Sequence, residues 1–280
     1  LILSGTVNVI LNLILVIYFK LGVAGVAIAT VISNILSAGL VLIYLYRRED
    51  EFQFRPQRLH IEKEDLKKVL VIGIPAGIQG AIFSISNVFI QSGINSFGED
   101  AIAGSSLALN FEYFTYDIAA AFAQAAVTFT SQNYGAGKKK RMDRVLVDCM
   151  ILSVIVAVTL GGSANLFGPQ LLHIYTTEAD VIACGTEILL YTTLTYFLCG
   201  IMDLIPGALR GMGRSGVPMI LSIIGTVGTR IVWIFGLFPH YRSLSFLFIS
   251  YPVSWIITII LQVICYYFVR KKVHKTILGM

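Results

Sequence analysis

The basic residues of this chain fall almost entirely in four short clusters, and long apolar stretches separate the clusters. Eighteen of the twenty-one Lys and Arg residues belong to them. The clusters are Arg47 to Lys68, Lys138 to Arg144, Arg210 with Arg214, and Arg270 to Lys275. Two apolar spans lie between each cluster and the next, so all four are expected on the cytoplasmic side of a membrane. The pattern predicts a multi-pass protein of the cell membrane, plasma or inner, with basic loops and C-terminus in the cytoplasm.

Composition supports the membrane interpretation and excludes several other classes. Charged residues make up 13% of the chain, against roughly 25% in soluble domains. The net charge of +5 comes from residues beside apolar spans, which indicates anionic lipid headgroups rather than nucleic acid as the partner. The four cysteines are scattered without a CxxC pair, so neither a disulfide framework nor a zinc site is predicted.

Hydropathy predicts an all-α protein with eight membrane spans, each long enough to cross a hydrocarbon core about 30 Å thick. The predicted spans are 1–19, 23–46, 69–96, 101–134, 143–167, 181–209, 217–238 and 244–269. The chain starts inside an apolar run without an initiator Met. We therefore expect it to be the C-terminal part of a longer protein.

A weak internal repeat links the first and seventh spans. Gly5-Thr6-Val7 and Gly225-Thr226-Val227 lie 220 residues apart, each near the start of a span that runs outward. Parallel repeats of this kind are common in transporters, so the two spans are predicted to be counterparts in two halves.

Five charged residues at membrane depth are candidates for cation coupling, because such charges are costly unless they face protein or water. They are Glu112, Asp117, Glu187, Asp203 and Arg230. Counting residues from the span ends places Arg230 at a depth similar to Glu112 and Glu187. Arg230 is therefore a candidate partner for either of them. Such a pair either fixes helix positions or leaves a second carboxylate to take a proton or Na⁺.

Uncharged polar residues on the third and fourth spans are candidates for the lining of a solute cavity. On span four, Asn110, Asp117, Gln124 and Ser131 recur every seven residues and share one helical face. They predict either a water-filled path or a packed polar seam. Glu112 lies about 140° around the helix from Asp117. The cavity candidates are Gln79, Asn87, Gln91, Asn110, Tyr113, Tyr116 and Gln124.

The sequence contains no catalytic, cofactor-binding or metal-binding motif in the structural context that such a motif requires. The GxGxxG match at Gly211 to Gly216 follows a membrane helix rather than a strand. Walker A, HExxH and nucleophile-elbow sequences are absent. We expect no enzyme activity, no catalytic residue, no resident metal and no cofactor.

Several segments resemble the multidrug and toxic compound extrusion (MATE) transporters, in family order across essentially the whole chain. They are Asn12 to Ser33 with its GVAGVAIAT core, Gly73 to Gly77, Gln132 to Gly137, and Gly207 to Gly213. The resemblance implies a twelve-helix fold of two six-helix lobes. Residues 1–46 would be the last two helices of the N-lobe, 47–68 the cytoplasmic inter-lobe loop, 69–269 the C-lobe, and 270–280 a cytoplasmic basic tail.

The resemblance also implies a function. Members export organic, often cationic, drugs or toxic metabolites by alternating access as Na⁺ or H⁺ enters. The expected partners are a small organic substrate and the lipid bilayer, with no nucleic acid, and the protein is expected to be a monomer. The alternatives are a flippase of lipid-linked saccharides in the same superfamily and a non-transporting membrane scaffold. The acids that sodium-coupled members carry would fall near Phe83, which is not acidic, and near Cys199, one turn before Asp203.

Overall fold

The computed structural model describes residues 2–50, 53–58 and 60–278, and the regular structure in them is helical. Apart from a single 3₁₀ turn at Pro56–Arg58, the described residues form ten helices. They are α1 Ile2–Tyr18, α2 Gly22–Arg47, α3 Lys63–Asn95, α4 Glu99–Gly135, α5 Lys139–Leu166, α6 Gly168–His173, α7 Ala179–Thr193, α8 Tyr196–Gly211, α9 Gly216–Leu237 and α10 Leu244–Leu278. The all-helical prediction is confirmed.

Length and hydropathy identify five described helices that can cross a membrane, namely α2, α3, α5, α9 and α10. The number is six if α7 and α8 form one bent span. Helix α1 is shorter than these, and α4, with 37 residues, carries several polar side chains that lower its hydropathy. The described helices overlap all eight predicted spans, but the count of eight stays a prediction.

The chain divides into two compact units, Leu1–Lys63 and Glu64–Met280. In the first unit α1 packs on α2, where Asn8 donates a hydrogen bond to the Ser33 hydroxyl at 3.0 Å. In the second unit α4 packs against α5, α7 and α8, while α10 packs against α7, α8 and α9. The predicted assignment of these segments to two lobes stays a prediction.

The predicted inter-lobe segment at 47–68 overlaps α3, which begins at Lys63. Glu64 and Asp65 lie in the first turn of α3. Acidic side chains there interact favourably with the positive end of the helix dipole. The alternating charges before residue 69 are thus partly the start of the helix.

The predicted tail at 270–280 is helical in its described residues, since α10 continues to Leu278. Arg270 donates two hydrogen bonds of 2.6 Å to the Asp143 carboxylate at the start of α5. Val273 is buried in a cluster with Met142. A bidentate ion pair and an apolar contact therefore hold this end of α10 on its neighbours.

The predicted span at 181–209 consists of two helices, α7 and α8, which meet at a bend of 41°. Three threonine hydroxyls around the break donate to main-chain carbonyl oxygens four residues earlier. The pairs are Thr192 with Ile188, Thr193 with Leu189, and Thr195 with Tyr191. Such bonds compete with the main-chain ladder and bend helices. Thr192, Thr193 and Thr195 mark the break in the sequence.

Helices α1 and α9 both contain wider π-helical turns. These occur at Leu13–Tyr18 in α1, and at Ile223–Gly228 and Trp233–Leu237 in α9. An offset of 220 residues, the spacing of the sequence repeat, brings Leu13–Tyr18 onto the second π turn of α9. The shared irregularity supports the predicted repeat with a feature that residue identities do not contain.

Glycines let the helices of the second unit approach to backbone contact. A Cβ atom added at Gly207 of α8 would lie 2.9 Å from the carbonyl oxygen of Ala123 in α4, and one at Gly211 would lie 2.7 Å from that of Val127. A Cβ at Gly161 of α5 would overlap the carbonyl oxygen of Thr193. Small residues at helix contacts are the usual basis of tight packing in membranes.

We expect Gly161→Ala to lower the thermal stability of the protein, since a methyl group there has no space. Overpacking of this kind costs about 1–3 kcal/mol. Gly162 is the matched control, because nothing lies within 4 Å of its Cβ position. Gly162→Ala should keep or raise the melting midpoint, as Ala favours helix by up to about 1 kcal/mol over Gly. Size-exclusion chromatography of the purified variants after heating in detergent measures both midpoints. Equal midpoints would contradict the packing of α5 on α7.

Candidate functional site: a charged cavity in the second unit

A cavity of about 740 Å³ lies inside the second unit. Five helices, α3, α4, α8, α9 and α10, supply nearly all of its lining, and Ile188 of α7 completes it. Most of the surface is apolar or aromatic, with a small number of charged and amide side chains among them. This combination is typical of small-molecule sites, whose volumes run from about 300 to 1,000 Å³.

Two acidic side chains line the cavity, Glu112 from α4 and Asp203 from α8. Glu112 is 6% exposed, and Asp203 is partly buried. In the described part of the chain, no Lys, Arg or His nitrogen lies within 4.0 Å of either carboxylate. Two of the four predicted acids are therefore in one cavity, and neither of the two has an ion-pair partner in the described chain.

Arg230 of α9 lines the same cavity and is only 4% exposed. Its Nη1 donates to the side-chain oxygen of Asn87 at 2.9 Å, and its Nε donates to the Ser254 hydroxyl at 3.4 Å. The guanidinium carbon lies 4.2 Å from the centre of the Tyr251 ring. Uncharged groups from α3 and α10 thus hold this cation in place.

The predicted ion pair of Arg230 with Glu112 or Glu187 is wrong. Glu187 faces a second cavity of about 660 Å³, lined by residues of α5, α6 and α7 and the segment after α6. Its carboxylate accepts a hydrogen bond from the Ser245 hydroxyl. A count of residues gives depth in a membrane but not the direction around the helix axis. Similar depth therefore placed Glu112 and Arg230 in one cavity without an ion pair, while Glu187 faces another cavity.

Four of the seven predicted lining residues border the cavity. They are Asn87, Gln91, Tyr113 and Tyr116. Gln79 is buried but lies outside the lining. The remaining candidates, Asn110 and Gln124, lie with Asp117 on an exposed face of α4 and are not part of the lining. The seven-residue stripe therefore runs along a different face from Glu112.

The sequence interpretation missed the aromatic wall beside Arg230. The Tyr251 and Trp255 rings meet edge-on with centres 5.7 Å apart, and Tyr196 lies 5.5 Å from Trp255. All three residues line the cavity. Tyr251 and Trp255 are four residues apart on α10, a spacing that places both on one face. An arginine at membrane depth, which attracts an aromatic ring, was the available signal for this wall.

The described residues hold no group of three or more His, Cys, Asp or Glu side chains that could bind a metal ion. Phe83 and Cys199 line the cavity, so the two positions where the family resemblance places acids border it without a carboxylate. The four cysteines are free. Chemically, the cavity offers two carboxylates for a proton or a monovalent cation, and one guanidinium.

Curated relatives of this chain are named as multidrug resistance proteins or multidrug export proteins. It is 29% identical to the probable multidrug resistance protein YoeA of Bacillus subtilis, over 99% of this chain and 61% of the relative. It is 28% identical to the probable multidrug resistance protein NorM of Thermotoga maritima, over 80% of this chain and 48% of the relative. The chain thus spans about half to three fifths of the length of these relatives.

Solved transporter structures share the fold. The outward-facing conformation of a multidrug resistance MATE family transporter of the MOP superfamily matches with a TM-score of 0.86. It has 19% identity and covers 98% of this chain and 62% of the other. The bent form of the Vibrio cholerae transporter VcmN matches with a TM-score of 0.81, at 20% identity over 96% of this chain and 61% of the other. A family model described as MatE matches residues 75–235. More than half of the chain is thus covered, and the chain belongs to the MatE family.

Proposed function

We propose that the protein exports organic compounds from the cell in exchange for Na⁺ or H⁺, and that Glu112 carries the coupling ion. The names of the curated relatives support drug export. The observation that carries the assignment of Glu112 is its burial in the cavity without an ion-pair partner among the described residues.

The chemistry of a buried carboxylate favours this role. An ionised carboxylate away from water is strongly destabilising unless a cation or hydrogen-bond donors compensate it. Arg230 shares the cavity but directs its hydrogen bonds to Asn87 and Ser254. Glu112 therefore gains most by binding a proton or Na⁺ whenever the cavity is empty. An arriving organic cation can replace that ion.

Asp203 is the second acid of the proposed exchange. It lies on α8, whose backbone contacts that of α4 through Gly207 and Gly211. A site with two acids can hold the coupling ion at one and a cationic group of the substrate at the other. Tyr116, four residues after Glu112 and also in the lining, supplies a hydroxyl and an aromatic face.

The exchange requires that the cavity face each side of the membrane in turn. We place the basic loops and the C-terminus in the cytoplasm, because the clusters of Lys and Arg follow the positive-inside rule. In the proposed cycle, drug enters from the cytoplasm and displaces the ion. The ion returns from outside and releases the drug there. A monomer in the cell membrane is sufficient for this cycle.

We expect Glu112→Gln to uncouple export from the ion gradient. Dye efflux by the full-length protein in vesicles, with Na⁺ and pH gradients imposed separately, measures coupling to each ion. The stimulation of dye efflux by the driving gradient should fall about tenfold or more. This corresponds to a loss of about 1.4 kcal/mol or more in ion binding. Asp117→Asn is the matched control on the same helix, on an exposed face outside the cavity lining, and should respond as the wild type does. An unchanged response of Glu112→Gln to both gradients would refute the assignment.

A binding measurement without a membrane gives an independent prediction. If ion and drug alternate at Glu112, then raising either Na⁺ or proton concentration should release a bound cationic dye from the purified protein in detergent. Ethidium fluorescence reports this release. Glu112→Gln should abolish the ion dependence, because the neutral amide cannot exchange a proton or hold Na⁺. Release that persists unchanged in Glu112→Gln places the competition at another residue, and Asp203→Asn is then the variant to compare.

A further inference from the structure

Arg230 has a hydrogen-bonding nitrogen that the described residues leave unused. The hydrogen bonds of the guanidinium run from Nε to Ser254 and from Nη1 to Asn87. Nη2, with two N–H donors, has no acceptor among the described residues. It is also absent from the set of fully enclosed polar atoms that lack a partner. Because Arg230 lines the cavity, Nη2 is open to it.

The charge of Arg230 is also uncompensated at short range. Its neighbours Asn87, Ser254 and Tyr251 are uncharged groups. The acids of the cavity, Glu112 and Asp203, form no ion pair with it. A guanidinium that is 4% exposed and has no carboxylate within 4.0 Å in the described chain attracts an anion strongly, since the surroundings screen its field poorly.

The contacts around Arg230 fix the direction of the open nitrogen. The guanidinium carbon lies over the Tyr251 ring, while Asn87 of α3 and Ser254 of α10 accept hydrogen bonds from two of its nitrogens. A planar cation held in this way does not need to be ordered when a ligand binds, which favours affinity. It presents a preformed donor to the cavity.

We propose that Arg230 is the subsite that holds the carboxylate of an organic acid or zwitterion, and that it determines how tightly the cavity binds an anionic group. The inference rests on the proposed export function and goes beyond it by assigning this role to one residue. A charge-assisted hydrogen bond joins the Nη2 nitrogen to a carboxylate oxygen of the substrate. A cationic group of the same molecule lies near Glu112 or Asp203, and its aromatic part contacts the wall formed by Tyr251 and Trp255.

Rhodamine B and its ethyl ester test the proposal, because they share one cationic dye and differ in a free carboxylate. Fluorescence polarisation measures the affinity of each for the purified full-length protein in detergent. The wild type should bind the acid more tightly than the ester. Arg230→Gln should reduce that preference by about tenfold or more, since it removes one charge-assisted hydrogen bond. Arg230→Lys, which keeps the charge, should retain part of it.

Arg242→Gln is the matched control, since it removes the same charge from an exposed position between α9 and α10. It should preserve the preference for the acid. Ester binding and an unchanged elution volume show that each variant is folded. A wild type without preference for the acid, or an Arg230→Gln variant that weakens acid and ester equally, overturns the proposal. Failure of the export function is a separate result, because it appears as loss of gradient-driven efflux in vesicles while the binding preference stays.

Discussion

The contact of helix backbones at glycine is the constraint on which the second unit depends. Gly207 and Gly211 bring α8 onto the main chain of α4, and Gly161 brings α5 onto the region where α7 ends. Lipid provides no hydrophobic force to drive helices together, so close packing has to supply the attraction. The same contact fixes the site, because Glu112 belongs to α4 and Asp203 to α8. The distance between helices thus sets where the two carboxylates meet the cavity.

Charge is distributed in the cavity without local neutralisation. Arg230 is held by an amide, a hydroxyl and an aromatic ring, while Glu112 and Asp203 have no cationic partner within ion-pair distance in the described chain. In a buried ion pair the two charges would neutralise each other, and both would be poorly available to ligands. Separate, individually held charges keep each one able to exchange its counter-ion. The proposed binding of the coupling ion and the proposed binding of the drug both depend on charges that are available in this way.

Sequence reasoning gave the helical class, most of the helix positions and the acids at membrane depth, because hydropathy and charge act along one dimension. Helical periodicity also separated Glu112 from Asp117, which lie on different faces of α4. Sequence reasoning failed where a contact depends on the direction of a side chain around the helix axis or on local backbone geometry. Arg230 was assigned a carboxylate by depth alone, and the bend between α7 and α8 arises from Thr192, Thr193 and Thr195 bonding to the main chain. The aromatic partner Tyr251 comes from α10, and no local pattern linked it to α9.

The π-helical turns of α9 have a consequence for how this chain tolerates changes in length. Ile223–Gly228 precedes Arg230 and Trp233–Leu237 follows it. A π turn in an α-helix is equivalent to one extra residue, so deleting a residue there restores a regular helix and leaves the flanking faces in register. In the uninterrupted helix α4, a deletion rotates every later side chain by about 100° about the helix axis. The residues after the deletion would then turn away from the cavity. Evolution therefore has room to vary the length of α9 on either side of its cation, and little room to do so in α4.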